Sequence, residues 1–223
     1  DLVLTVDISR LKQYADKGLF QPFVSTVLES NIPKNLRSKD NTWYGFSKRS
    51  RVIAVSKSLK DSNEITRFED LTDKNWSGKI CSRPGSHVYN RALLSSIIAA
   101  NGNEAAFAWA KGLVENFARS PRGNDRSQIK AIFSGECAIA LVNHYYYGKL
   151  INSEDPAHRK WAGSVNIIIP NQGPTDRGAH INISGGGIAK HAKNLEEAKQ
   201  FMEFLVSREA QELYASINYE YPV

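Results

Sequence analysis

The chain has 223 residues and a formal net charge of +6, with 41% hydrophobic and 23% charged residues. These values are typical of a soluble globular protein with room for one large domain or two small lobes. No stretch approaches the roughly 18 uninterrupted apolar residues that indicate a membrane-spanning helix. The Lys and Arg residues are scattered, apart from one cluster at Ser47-Lys-Arg-Ser-Arg51, so the basic balance does not favour nucleic-acid binding.

Both ends of the chain look cut. Asp1 already lies inside a strand pattern, with no initiator Met and no signal peptide before it. The last residues, 218–223, stop without a helix terminus or a polar tail. We therefore expect that residues required for function are missing at both ends.

The order of the predicted elements favours an α/β protein. In chain order the patterns predict strand 1–6, helix 9–15, loop and turn 19–32, a long extended segment 43–55, a polar connector 61–71, strand 78–81, helices 86–100, 104–116 and 125–134, strand 138–142, helix 144–151, strands 165–169 and 178–188, and helices 196–205 and 208–215. Ser86 is the expected N-cap of its helix, and Asn101-Gly102 is the expected end of that helix. Strands that alternate with helices predict α/β lobes built on mostly parallel sheets.

The two cysteines, Cys81 and Cys137, each lie at the edge of an apolar strand pattern. They have neither C-x-x-C spacing nor clustered His, so they do not indicate a metal site by themselves. In an oxidising compartment they could form one disulfide between neighbouring strands. Two buried thiols are the alternative, because free cysteines pack as small hydrophobic side chains.

The most unusual segment is Asn143-His144 followed by three tyrosines, Tyr145, Tyr146 and Tyr147, at the end of an apolar run. Here a predicted strand gives way to a helix, and such strand ends are common ligand sites in α/β folds. The tyrosines are either core and interface aromatics or metal ligands. As ligands, phenolates are hard anionic oxygens that suit a hard cation such as Fe3+, which must itself displace the phenolic protons.

Other chemistries are poorly represented in the sequence. The five histidines form no H-x-x-x-H pair, and there is no nucleophile elbow, P-loop or dinucleotide-binding glycine motif. His144 adjoins the tyrosines, where a structural hydrogen-bonding role is favoured over ligation. An enzyme lobe that uses a tyrosine as general acid stays an alternative, although the sequence shows no partnered base near the tyrosines.

The run Cys137 to Leu150, which ends in N-H-Y-Y-Y-G-K-L, resembles the periplasmic ferric-ion-binding proteins of bacterial and cyanobacterial iron ABC transporters. Further stretches are similar to the same family: Leu2 to Asp7, Trp43 to Val52, Gly178 to Gly185 and Tyr214 to Val223. The resemblance covers essentially the whole chain. It implies a type II periplasmic binding protein, α/β in class, with two lobes joined by crossing hinge strands and the first lobe incomplete.

The resemblance also implies a set of iron ligands. Tyr145 and Tyr146 correspond to ligands in the family, and Tyr147 corresponds to a structural residue. Members with a tyrosine-rich site take another phenolate from the helix that follows the strand at 79–81, which here means Tyr89. Members also begin well before the position of Asp1 and take a His or Tyr ligand from that earlier segment, so this chain would supply three ligands.

Charge compensation is the role that the resemblance implies for Arg49, because a guanidinium offsets the negative charge of phenolates. Lys149, one turn beyond Tyr145, stands where relatives often carry an arginine. The alternative for Arg49 and Arg51 is that both are solvated charges at a strand edge.

The function implied by the resemblance is capture of Fe3+ outside the cytoplasmic membrane and delivery to an inner-membrane ABC permease. The protein would be a monomer in the periplasm, or lipid-anchored outside that membrane, and not an enzyme. Residues 1–47 are expected in the first lobe, 48–167 in the second, and 168–223 in the first again. An alternative within the same fold is a protein that binds a small organic or oxyanion solute, such as thiamine, a polyamine or phosphate. The aromatic side chains would then stack on the ligand, and the N-terminus of the helix that begins near Ser86 would bind an anion.

Overall fold

The computed structural model describes all 223 residues as a mixed α/β structure. Its strands are β1 (Leu2–Val6), β2 (Phe20–Gln21), β3 (Tyr44–Ser56), β4 (Ile80–Cys81), β5 (Ile139–Asn143), β6 (Val165–Ile168), β7 (Ile181–Ala189) and β8 (Tyr221–Pro222). Its helices are α1 (Ile8–Asp16), α2 (Thr26–Asn31), α3 (Val88–Glu115), α4 (Asp125–Phe133), α5 (His144–Ile151), α6 (Pro156–Gly163), α7 (Leu195–Phe204) and α8 (Arg208–Ser216). No helix is both long and apolar enough to cross a lipid bilayer.

The contacts divide the chain into two compact units. Unit 1 comprises residues 1–49 and 181–223, and unit 2 comprises residues 50–180. Strand β3 carries the chain from unit 1 into unit 2, since the division falls within its 13 residues.

Unit 1 is built around β7, which pairs antiparallel with both β1 and β2. The short strand β8 pairs antiparallel with the beginning of β3. Gly185 and Gly187 lie in β7 where its backbone approaches the backbone of the chain at Tyr44 and Thr42 so closely that a side chain would collide with their carbonyl oxygens. The glycine-rich stretch therefore permits close strand packing rather than marking a loop.

Unit 2 is a sheet covered on both faces. Strand β3 pairs antiparallel with β5 and with β6, and β4 pairs parallel to β5. Alternate residues of β3 and β5 pack into two separate cores, because successive side chains of a strand point to opposite faces. The core on the α3 side includes Ile53, Val55, Ile139 and Leu141, and the core on the side of α4, α5 and α6 includes Val52, Ala54, Ala140 and Val142. Burial on both faces explains why β5 reads as an uninterrupted apolar run.

Three predictions about the elements are wrong. The sheets are not mostly parallel, because β3 receives antiparallel neighbours on both sides and the parallel crossover joins β4 to β5. The stretch 19–32 is not all loop and turn, since it contains β2 and α2, and the Ser25 hydroxyl caps α2 by accepting a hydrogen bond from the Leu28 N–H. The N-cap of α3 is His87 rather than Ser86, since its Nδ1 accepts a hydrogen bond from the Tyr89 N–H.

Gly102 has φ of 83° and interrupts the helical backbone, so α3 consists of two helices that meet at a kink. The kink lies where the sequence predicted one helix to end and the next to begin. One further element differs from the sequence patterns, because helix α6 has no counterpart among the predicted elements. It begins at Pro156 after Asp155, whose carboxylate accepts a hydrogen bond from the Ala157 N–H.

The segment 168–180 groups with unit 2, whereas the sequence placed it with the first lobe. Its first residue, Ile168, pairs with Ile53 of β3. Asn171 then donates its N–H to the Thr66 carbonyl and accepts a hydrogen bond from the Phe68 N–H. These bonds hold the segment against unit 2 until the chain enters β7.

Cys81 and Cys137 are joined in a disulfide within unit 2, with their Cα atoms 5.9 Å apart. Cys81 ends β4, and Cys137 lies just before β5, which is its parallel neighbour. The bridge therefore closes a crossover of 56 residues that contains α3 and α4.

Candidate metal-binding site

The three tyrosines singled out as ligands lie together in unit 2. Tyr145 and Tyr146 occupy the first turn of α5, directly after β5, and Tyr89 lies in the first turn of α3. The hydroxyl oxygens of Tyr89 and Tyr145 are 3.1 Å apart. The rings of Tyr145 and Tyr146 are tilted against each other, with centroids 4.4 Å apart.

The separation of the two hydroxyl oxygens suits chelation of a hard cation. Two oxygens that bind one ion at about 2.1 Å and at right angles lie about 3.0 Å apart. The oxygens of Tyr89 and Tyr145 therefore already have the spacing of adjacent ligands. Sequence neighbours on a regular helix would not converge in this way. The pair meets because one tyrosine comes from α3 and the other from the turn into α5.

Tyr147 has different surroundings from the other two tyrosines of the triplet. It is partly buried and packs against the core on the side of α4, α5 and α6. Its neighbours there are apolar side chains, which supports the predicted structural role.

Burial raises the pKa of Tyr145 well above its ordinary value, and the neighbouring Tyr89 raises it further. Tyr145 is 8% exposed, so water contributes little to stabilising a phenolate there. Without a metal ion the hydroxyl is therefore protonated at neutral pH. A cation that binds Tyr145 must supply the electrostatic free energy that removes this proton.

A buried polar network adjoins the tyrosines. Its centre is Asp125, which is fully buried and accepts hydrogen bonds from three donors: Arg51 Nη1 at 2.7 Å, Arg83 Nη1 at 3.1 Å and the Asn143 N–H at 2.8 Å. Arg51 also donates to the side-chain oxygens of Asn90 and Asn143. We call Arg51, Arg83 and Asp125 the arginine–aspartate triad.

Sequence reasoning missed most of this network. Arg83 and Asp125 carry no motif that marks them, and their contact depends on how the segment after β4 packs against the first turn of α4. The burial of Arg51 could have been inferred from the sequence, because Arg51 directly precedes an uninterrupted apolar run in β3. The interpretation of Arg49 and Arg51 as solvated strand-edge charges is wrong, since each is 2% exposed.

Cations lie over the rings of all three tyrosines. Arg83 Cζ is 4.9 Å from the ring centre of Tyr89, and Lys149 Nζ is 5.9 Å from that of Tyr145. Arg126 Cζ is 5.8 Å from the ring centre of Tyr146. All three distances are within the usual limit of about 6 Å for a cation–π contact, and Arg83 is the closest.

The remaining predicted residues have structural partners. The Nδ1 of His144 accepts a hydrogen bond from the Ser50 N–H at 3.0 Å. Arg49 belongs to unit 1, where it donates to the Ile183 carbonyl and to the Ser184 hydroxyl. No group of three His, Cys, Asp or Glu side chains could hold a metal ion, so the convergent tyrosine oxygens are the candidate ligands.

Comparison with known proteins identifies the chain's relatives. It is 48% identical over 223 residues to iron uptake protein A1 of Synechocystis, and the match covers all of this chain and 61% of the relative. A ferric-binding protein of Campylobacter jejuni superposes with a TM-score of 0.94 at 43% identity, covering 100% of this chain and 70% of that one. A Trichodesmium protein solved with iron and citrate gives a TM-score of 0.94 at 45% identity, with the same coverage.

The mixed α/β structure therefore matches the fold of these ferric-binding proteins, which is a type II solute-binding fold. The chain spans about three fifths of the length of the curated relative just described. The model of the bacterial extracellular solute-binding proteins matches residues 1–223. The chain therefore belongs to the bacterial extracellular solute-binding protein family.

Proposed function

We propose that the protein binds Fe3+ through the phenolate oxygens of Tyr89, Tyr145 and Tyr146. The observation that carries the proposal is the 3.1 Å separation of the Tyr89 and Tyr145 hydroxyl oxygens, with the Tyr146 ring tilted against that of Tyr145. Three phenolates neutralise the charge of one ferric ion. They also leave coordination positions for other oxygen donors.

The chemistry of the site favours Fe3+ over other solutes. Hard anionic oxygens select hard cations, and a trivalent ion supplies the strongest field for displacing protons from phenols. The burial of Tyr145 makes that requirement stricter, because a weaker cation leaves it protonated. The names of the Synechocystis and Campylobacter relatives support the same ligand.

The family supports a role in transport. We infer that the protein carries Fe3+ outside the cytoplasmic membrane, in the periplasm, and delivers it to an ABC permease in that membrane. It acts as a monomer and is not an enzyme, since its task is to bind and release one ion without chemical change.

Titration with ferric nitrilotriacetate, followed by visible absorption, tests the proposal. Phenolate-to-iron charge transfer gives a visible band that saturates at one ion per chain, and Tyr147→Phe retains it. No visible band, together with binding of thiamine, a polyamine or phosphate in a parallel calorimetric titration, would identify the protein as a carrier of an organic or oxyanion solute instead.

A further inference from the structure

We propose that Arg83 is a positioning residue for the iron ligand Tyr89, and that the arginine–aspartate triad holds the Tyr89 and Tyr145 oxygens at chelating distance. This inference rests on the proposed function. It adds a role for three buried residues that touch the ligands or their immediate neighbours but do not bind the ion.

The connection to Tyr145 runs through Asn143. Asp125 accepts the Asn143 N–H at 2.8 Å, and Arg51 donates to the Asn143 side-chain oxygen at 3.2 Å. Asn143 is the N-cap of α5, and its side-chain amide donates to the Tyr145 hydroxyl at 3.4 Å. The triad therefore bonds both the backbone N–H and the side-chain oxygen of Asn143, the residue from which the first turn of α5 begins.

The connection to Tyr89 has two branches. Arg83 donates to Asp125 at 3.1 Å, and its guanidinium lies over the Tyr89 ring at 4.9 Å. Arg51 donates to the Asn90 side-chain oxygen at 2.7 Å, next to Tyr89 in α3. The Asn90 amide in turn donates to the Arg83 carbonyl at 2.9 Å. Arg83 thus contacts one face of the Tyr89 ring, and the bonds of Asn90 fix the backbone next to Tyr89.

Stability alone gives little reason to bury this triad. Removing two guanidinium groups and a carboxylate from water is unfavourable for each ion, and apolar replacements often stabilise such sites. The triad contains two positive charges and one negative charge, so it leaves one net positive charge beside phenols that become phenolates when iron binds. Its placement therefore suits a site whose ligands must be held within about 0.5 Å of their working geometry.

Arg83 is the member of the triad best suited to substitution. Arg83→Lys keeps the charge but loses the flat guanidinium over Tyr89 and its fixed bond to Asp125. Arg83→Gln loses the charge as well. The matched control is Arg119→Gln: Arg119 lies in the same unit, its side chain is 11% exposed against 10% for Arg83, and it pairs with Glu136 at 3.1 Å.

The experiment compares wild type with these three variants, each loaded with ferric nitrilotriacetate. The readouts are the wavelength of the visible charge-transfer band, the rate of iron removal by excess citrate, and the melting temperature of the metal-free protein. We expect both Arg83 variants to lose iron about 10–100 times faster and to shift the band, since outer-shell changes have effects of this size. Arg119→Gln should remain within about twofold of wild type, even if it melts lower.

Two results overturn the inference while leaving the proposed function intact. In the first, the Arg83 variants release iron and absorb like Arg119→Gln, so that Arg83 is only a structural ion-pair partner. In the second, Arg83→Lys has the wild-type rate of iron removal and the wild-type band, so that a positive charge at this position is sufficient and the guanidinium is not needed to position Tyr89. A wild-type protein that develops no band contradicts the proposed function itself.

Discussion

Two arginines that are two residues apart on β3 have their side chains fixed by different units. Arg49 in unit 1 donates to a backbone carbonyl and a hydroxyl, and its Nη2 lies 3.8 Å from Asp7. Arg51 in unit 2 makes a 2.7 Å ion pair with Asp125 and reaches two asparagines. Both guanidinium groups are buried, and that of Arg51 belongs to a compact charged network beside tyrosines.

The carboxylates near these two arginines, Asp7 and Asp125, also differ in their contacts. Asp7 is fully buried: it caps α1 through the Ser9 N–H, accepts a hydrogen bond from the Asn182 amide and lies 3.8 Å from Arg49 Nη2. Asp125 is equally buried but joins three chain segments through two arginines and the Asn143 N–H. The two carboxylates therefore differ in their arginine contacts and not in their burial. Asp7 faces one arginine at 3.8 Å, whereas Asp125 accepts hydrogen bonds from two arginines beside the candidate site.

We expect the largest effect on iron binding from substituting the ligand tyrosines of unit 2, and smaller effects from substituting the buried residues around Arg49 and Arg51. Tyr145→Phe removes one oxygen ligand and almost no volume, so the visible iron band should be lost and the fold retained. Tyr146→Phe should have the same effect, and Tyr147→Phe should keep the band because Tyr147 packs against a core. Absorbance during ferric titration and circular dichroism of the metal-free variants measure both properties. Loss of the band in Tyr147→Phe but not in Tyr145→Phe would show that the ligand assignment within the triplet is wrong.

The second prediction tests whether Asp7 and Asp125, which differ in their contacts, also differ in their contribution to the free energy of unfolding. Asp125→Asn leaves two buried guanidinium groups without a compensating carboxylate and should lower the free energy of unfolding by about 3–5 kcal/mol. Asp7→Asn should cost less, about 1–2 kcal/mol, because Asn caps helices as well as Asp does. Asn also tolerates the positive φ of 86° at this position. Arg49, whose Nη2 lies 3.8 Å from Asp7, also keeps its bonds to the Ile183 carbonyl and the Ser184 hydroxyl. Urea denaturation of both variants measures the free energy of unfolding. Equal losses in the two variants would show that the two carboxylates contribute equally to stability.

The third prediction concerns the disulfide, which restrains unit 2. Closing a loop of 56 residues lowers the entropy of the unfolded chain, so reduction should destabilise the protein by about 4 kcal/mol. The expected outcome of a thiol assay in denaturant is no free thiol before reduction and two after it. Two thiols in the unreduced exported protein would contradict the bridge.

The smallest expected effect concerns Arg49, for which the family resemblance implies charge compensation. Iron release should begin at higher pH in Arg49→Ala, by up to about one unit, because the phenols then hold their protons more firmly. Lys149→Ala should shift release less, since the ammonium group is flexible and well hydrated. Release of iron against pH for wild type and both variants measures the shift. If the pH midpoint of iron release is the same for wild type and Arg49→Ala, Arg49 does not offset the phenolate charge and serves only its contacts in unit 1.

The sequence was most informative where one segment contained the whole signal. The apolar run of β5 and the tyrosines after it predicted a strand, a helix and a candidate site, because all three depend on neighbouring residues. Tyr89 was found only through the family resemblance, since its nearness to Tyr145 depends on how α3 and α5 pack.

Features that depend on pairing between distant segments were not predictable in this way. The antiparallel neighbours of β3 were missed because strand direction is decided by the connections and not by hydrophobic pattern. Asp125 was missed for a similar reason: a first-turn acidic residue is ordinary in a helix, and only the folded chain brings it between Arg51 and Arg83.

The most direct test of the central claim is anomalous diffraction at the iron edge from crystals of the iron-loaded protein. We predict a single strong peak within about 2.2 Å of the hydroxyl oxygens of Tyr89, Tyr145 and Tyr146, which is a normal distance for oxygen bound to a small hard cation. A peak bound by other residues, or one that touches Tyr147 and leaves Tyr89 uncoordinated, would contradict the account.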